Sequence, residues 1–164
     1  MASDAFQNYL DQVPLMIGTV ANHWNILEYN MGPLAAILMG TNLNIARITI
    51  NALPAVGKRD YLYALIADEK WKECGIYGDL NKFVKEFDRL RDLRNDIVHG
   101  RWGYKFSNGE LVPVWQILKG KAKPKEHLDH KDSQFIQTVL NDIKALQSSL
   151  AKLTRVAKRL SETI

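Results

Sequence analysis

A chain of 164 residues, 46% hydrophobic and 24% charged, has the size and composition of one globular domain with its own core. It has no apolar run near the roughly 20 residues of a membrane span, no basic stretch leading into an apolar segment after Met1-Ala2-Ser3-Asp4, and one cysteine, Cys74. These features exclude an internal disulfide and lead to the expectation of no membrane segment, no secretory leader and a reducing, cytoplasmic location.

Val13, Ile17, Val20, Trp24, Leu27 and Met31 recur at spacings of three and four, which predicts a long first helix with one apolar face. Pro14 marks a kink or the start of its regular part. Gly32-Pro33 predicts a break, followed by a short helical stretch from Leu34 to Met39 that ends at Gly40. Between Thr41 and Leu53 two patterns compete. Leu43, Ala46, Ile50 and Leu53 fit a helix, whereas Arg47-Ile48-Thr49-Ile50 is β-branched enough for a strand; the helical neighbours decide for a helix. After Pro54 and Gly57, Tyr61 to Trp71 reads as a further helix with Leu62, Leu65 and Ile66 inward. Gly75 to Gly78 reads as a loop, and Asp79 as the N-cap of the next helix.

Past Gly100 the period changes. Trp102, Tyr104 and Phe106 alternate with other residues, Asn108-Gly109 follows, and Leu111, Val112, Val114 and Trp115 complete a β-hairpin pattern. Lys119, Lys121, Lys123 and Lys125 punctuate an exposed basic loop. Asp132 or Ser133 caps a long last helix, whose Ile143, Leu146, Leu150, Leu153, Ala157, Leu160 and Ile164 form a seam suited to antiparallel packing or a dimer contact. The chain therefore reads as an all-α, up-and-down helical bundle, a single domain over 1–164. A small β-hairpin (about 101–118) and a basic loop (about 119–131) precede the final helix.

The helix after Asp79 carries the densest chemistry. Its apolar stripe is Leu80, Phe83, Val84, Phe87, Leu90, Ile97 and Val98, and Arg94 falls in the middle of it. A guanidinium is always charged and is rarely buried unless paired. Arg91, Asn95 and His99 form a polar column beside it at i, i+4, i+8. Cleaving RNA without a metal needs a base for the 2′-hydroxyl, an acid for the leaving 5′-oxygen and a cation for the charge on phosphorus. Histidine serves as acid or base near neutral pH, arginine forks onto phosphate oxygens, and Asn95 is placed to orient His99 or a phosphate oxygen. One histidine cannot fill both proton roles, but a twofold dimer supplies two. The same spacing also fits a structural role, with Arg94 paired to Glu28 of the first helix and His99 complementing the helix dipole.

Arg94-Asn95-Asp96-Ile97-Val98-His99 resembles the R-x4-H motif, commonly RNxxxH, of the HEPN superfamily. The similarity runs from about Val13 to Trp102. His23-Trp24-Asn25-Ile26-Leu27-Glu28 looks like that superfamily's first long helix with its inward acid, and Leu93 to Trp102 looks like its motif helix and exit. The resemblance implies a HEPN-like bundle that dimerises with its motif helices at the cleft. Many members are metal-independent ribonucleases acting as toxins or in antiviral defence; others only bind RNA, nucleotides or partner proteins. Carried over by position, Arg94 contacts the scissile phosphate, Asn95 shapes the site, His99 is the acid–base group and Glu28 the supporting acid. A toxin subgroup has tyrosine two positions after the histidine, modified by a partner nucleotidyltransferase; here that position is Arg101. The expected partners are RNA, a second copy of the chain and an antitoxin or regulatory protein, with no cofactor.

Residues 1–100 hold 10 lysines and arginines against 12 acids, and residues 101–164 hold 12 against 6, so the basic half begins just after His99. Arg91, Arg101, Lys119, Lys121, Lys123 and Lys125 are the candidate phosphate contacts. Trp102, Tyr104 and Trp115 could stack on bases or pack the hairpin onto the bundle. His127-x-x-His130 with Asp129 has no third imidazole or cysteine close by, so no metal site is expected.

Overall fold

A computed structural model of the chain describes residues 4–107, 110–116 and 133–163. They are mostly helical: α1 (Asp4–Met39), α2 (Leu43–Asn51), α3 (Ala55–Ile66), α4 (Glu69–Glu73), α5 (Tyr77–His99) and α6 (Ser133–Ser161). Between α5 and α6, strands β1 (Arg101–Ser107) and β2 (Glu110–Gln116) pair antiparallel, with Trp102 opposite Trp115 and Ser107 opposite Glu110. The described residues fall into two compact units. Unit 1 draws on Met1–Asn22 and Asp92–Asn141, and unit 2 on His23–Arg91 and Asp142–Ile164. Among the described residues no helix is long and apolar enough to cross a membrane.

Unit 2 is built on aromatic and aliphatic packing. Trp24 stacks on Phe87 with ring centroids 4.8 Å apart, and Phe83 follows at 6.4 Å from Phe87. Leu27, Met31, Leu34, Ile50, Leu62, Ile66, Leu80 and Leu90 are fully buried around them. Each such side chain contributes about 1.5–3 kcal/mol through burial. The α6 seam closes this core with Ile143, Leu146, Leu150, Leu153 and Ala157, all buried. Two polar ties add direction: Trp71 Nε1 donates to the Leu38 carbonyl at 3.3 Å, and Gln147 Nε2 donates to the His23 carbonyl at 2.7 Å. Arg89 bonds both Glu86 and Asp142, and those carboxylates hold its pKa above the ordinary arginine value, Glu86 more strongly.

Several element boundaries differ from the sequence reading: α3 already starts at Ala55, directly after Pro54, rather than at Tyr61, and three further differences have local reasons. α1 does not break at Gly32-Pro33 but runs to Met39. A helix-interior proline costs about 3 kcal/mol, yet Met31, Leu34, Ala35, Ala36 and Leu38 are all buried, and their burial offsets it. Gly32 is there for space: a Cβ would sit 2.8 Å from Arg47 Cγ. The helix ends instead at Gly40, at φ 62°, where Gly40 N–H bonds the Ile37 carbonyl and Thr41 N–H bonds the Ala36 carbonyl in a Schellman arrangement. The stretch expected as one helix over Tyr61 to Trp71 is two, because Asp68 accepts from Lys70 N–H and starts α4 afresh. Finally, α5 begins at Tyr77 rather than after Asp79: the Ile76 carbonyl accepts the Asp79 and Leu80 N–H groups, leaving Asp79 in the first turn, where its charge suits the helix dipole.

In unit 1, Val13 and Val20 of α1, Ile97 of α5, and Ile136, Val139 and Leu140 of α6 are buried. A lone two-stranded ribbon is marginally stable in water. Here its base is tied to α5 by the Trp102 indole, which donates to the Ile97 carbonyl at 2.9 Å.

Candidate functional site

Arg94, Asn95 and His99 occupy the last two turns of α5, in unit 1. Ile97 is fully buried and fixes the rotation of this helix end, so the residues around it grade from half-buried to open. Arg94 and Asn95 are half-buried and His99 is exposed. Arg94 Nη1 donates to Asn95 Oδ1 at 3.0 Å, its one hydrogen bond among the described residues. Its Nε is enclosed and has no hydrogen-bond partner. An enclosed N–H without a partner costs about 1–3 kcal/mol, so this guanidinium is held in place without being saturated, and its remaining N–H groups can donate to the oxygens of an anion.

His99 is the final residue of α5 and makes no hydrogen bond among the described residues. The carbonyls around it are used: Gly100 N–H bonds the Asp96 carbonyl at 3.0 Å and Trp102 bonds the Ile97 carbonyl. The exposed imidazole therefore projects from a fixed backbone with no hydrogen-bond partner among the described residues. Five residues of helix separate it from Arg94, about 7.5 Å of rise.

The polar column of Arg91, Asn95 and His99 becomes more exposed toward the helix end. The Arg91 side chain is 13% exposed, and its Nη1 forms an ion pair with Asp88 at 2.6 Å. Asp88 also accepts from Arg59 at 2.8 Å, and Arg59, bonded to Asp60 and Asp88, is held above its ordinary pKa.

Glu28 belongs to unit 2 and is already occupied. Its Oε1 accepts from the Trp24 indole at 2.6 Å and its Oε2 from Lys58 Nζ. The cation bonded to Glu28 is thus Lys58, where the sequence reading had placed Arg94. Sequence reasoning missed Lys58, although the pattern was available: Lys58, Leu62 and Ile66 share the inner face of α3 at i, i+4, i+8 and all three are buried.

The side chain of Arg101 lies outside the described residues, as do Lys119, Lys121, Lys123, Lys125, Asn108-Gly109, Asp129 and the His127/His130 pair. Among the described residues no group of three or more His, Cys, Asp or Glu is placed to hold a metal ion. A groove of about 600 Å³ in unit 2 is bordered by Ile76, Phe83, Leu146, Leu153 and Val156, and contains none of the motif residues. No protein-family model, curated protein or solved structure matches this chain.

Proposed function

We propose that this chain is a metal-independent endoribonuclease of HEPN type, working as a homodimer. The observation that carries the reading is that one helix end holds both an exposed His99, without a hydrogen bond among the described residues, and an Arg94 hydrogen-bonded to Asn95. In the proposed reaction one His99 removes the proton from a ribose 2′-hydroxyl, whose oxygen attacks the adjacent phosphorus. The His99 of a second copy protonates the departing 5′-oxygen. Arg94 neutralises the equatorial oxygens as charge builds on them. The products are a 2′,3′-cyclic phosphate and a free 5′-hydroxyl. Arg101 and Lys119, Lys121, Lys123 and Lys125 hold the RNA backbone in this reading, and a toxin or defence role, with an antitoxin as regulator, follows from the same resemblance.

The test is cleavage of mixed cellular RNA in EDTA by the parent and by His99→Ala, with analysis of the 3′ ends. The parent is expected to leave 2′,3′-cyclic phosphate, and His99→Ala to be slower by about 10²–10⁴-fold with an unchanged melting curve. Equal rates from parent and variant would remove His99 from the chemistry. No cleavage by a folded parent would transfer the site to the alternative, a non-catalytic dimer that binds RNA or a protein through the same helix end.

A further inference from the structure

From Ile143 to Ser161 α6 contains no acidic residue but carries Lys144, Lys152, Arg155, Lys158 and Arg159. The opposite face of this stretch, Leu146, Leu150, Leu153 and Ala157, is buried in unit 2. At about 100° per residue the five cations fall on the outward side, within roughly 120° of one another, and all five are exposed. None makes an ion pair among the described residues, whereas other cations of this unit (Lys58, Arg59, Lys82, Arg89 and Arg91) do. The Arg155 guanidinium is steadied by a bond from its Nε to the Ala151 carbonyl at 3.3 Å. Lys158 and Arg159 lie in the last turn, where cations complement the helix dipole, but Lys144, Lys152 and Arg155 are too far from that end to gain from it.

We infer that the outer face of α6 is a track for the sugar–phosphate backbone of RNA. The row extends about 22 Å along a helix whose other face is anchored in the core, the length of several successive phosphates. A membrane surface is the poorer fit. An interfacial helix must insert its apolar side, and the apolar side of α6 is already used in the core. The choice of RNA among polyanions rests on the ribonuclease reading; the track itself rests on the charge pattern. It adds to the motif helix a grip without sequence preference, one that positions the strand and reads no bases.

The experiment measures anisotropy of a fluorescent single-stranded 2′-O-methyl RNA 20-mer, which lacks the attacking hydroxyl, in EDTA across a salt series, using the full chain and the triple variant Lys152→Gln/Arg155→Gln/Lys158→Gln. Circular dichroism melts check folding, and cleavage of unmodified RNA of the same sequence is followed in parallel. Five backbone contacts give a slope of log K against log salt of about −3.5, and the triple variant is expected to flatten it by about 2 units. Parent and triple variant binding with the same slope would overturn the track while leaving the ribonuclease reading untouched. Slope loss in the triple variant with no cleavage by the parent would uphold the track and sink the ribonuclease reading. Failure of the folded parent to bind RNA at 50 mM salt, or binding by these residues to phosphatidylserine vesicles alone, would also overturn the track.

Discussion

Lys58 and Arg94 are both cations set into the apolar stripe of a helix, yet the two units treat them differently. In unit 2, Lys58 is 6% exposed and meets a carboxylate, Glu28, whose second oxygen is taken by the Trp24 indole. Every strong acceptor and donor in that cluster has a use inside the protein. In unit 1, among the described residues, Arg94 hydrogen-bonds only the neutral amide of Asn95, and its Nε is enclosed without a partner. A charge that is neutralised locally has little left to offer a ligand. A guanidinium held by one neutral hydrogen bond keeps its charge for an anion from outside. On the proposed reading the first site serves stability and the second recognition, and substitutions can break that assignment.

The largest stability effect is expected at Lys58. Lys58→Ala strands the Glu28 carboxylate with the Trp24 indole alone. Breaking a buried pair on one side costs about 3–5 kcal/mol, and the lower end applies because Glu28 retains 18% exposure. Urea unfolding would show it directly, and adding Glu28→Gln to Lys58→Ala should recover part of the loss. A change under about 0.5 kcal/mol would mean that the pair is not structural and that Glu28 is free for other work.

That result also bears on what the sequence could reveal. Periodicity located the stripes of α1, α5 and α6 because burial of apolar faces is the strongest term in the fold, and Trp24, Leu27, Phe87, Leu90, Ile143 and Leu150 lie where the spacing put them. The motif's place at the end of α5 was legible for the same reason. The partner of Glu28 was not. Finding it requires knowing that α3 brings Lys58 to α1, a contact 30 residues apart that no local pattern encodes. Pro33 misled in the opposite direction. Its local preference to end a helix is real, but the burial of Leu34, Ala35 and Leu38 outweighs it, and the clue in Gly32 concerned room for Arg47 rather than a break. The solvated row of cations on α6 was hidden by a different limit: charge counts by halves of the chain do not show which face carries the charge.

A smaller effect is expected at the exit of the motif helix. Trp102→Phe keeps most of the ring but deletes the hydrogen bond to the Ile97 carbonyl, worth about 1 kcal/mol. Its signature is local: amide exchange near residues 97–100 should quicken while the unit 2 core stays protected. If cleavage is detected, it should fall with Trp102→Phe, because His99 projects from the turn that this bond fixes. Uniform loss of protection through both units would instead make Trp102 a general core residue.

The smallest stability effect belongs to Arg94, and it is the sharpest test of the comparison. Had Arg94 been the counter-ion of Glu28, Arg94→Ala would cost as much as Lys58→Ala. With Lys58 in that place, Arg94→Ala removes one charge-assisted hydrogen bond to a neutral amide and also relieves an enclosed, unpartnered Nε. These changes oppose each other, so the net loss should stay below about 1 kcal/mol. Anion recognition should change far more. Arg94→Lys keeps the charge but loses the planar fork, so on the ribonuclease reading it should cleave much more slowly than the parent while melting at nearly the same temperature. Equal cleavage by Arg94→Lys would reduce the residue to a point charge. A large melting loss in Arg94→Ala would return it to the structural class that Lys58 now occupies.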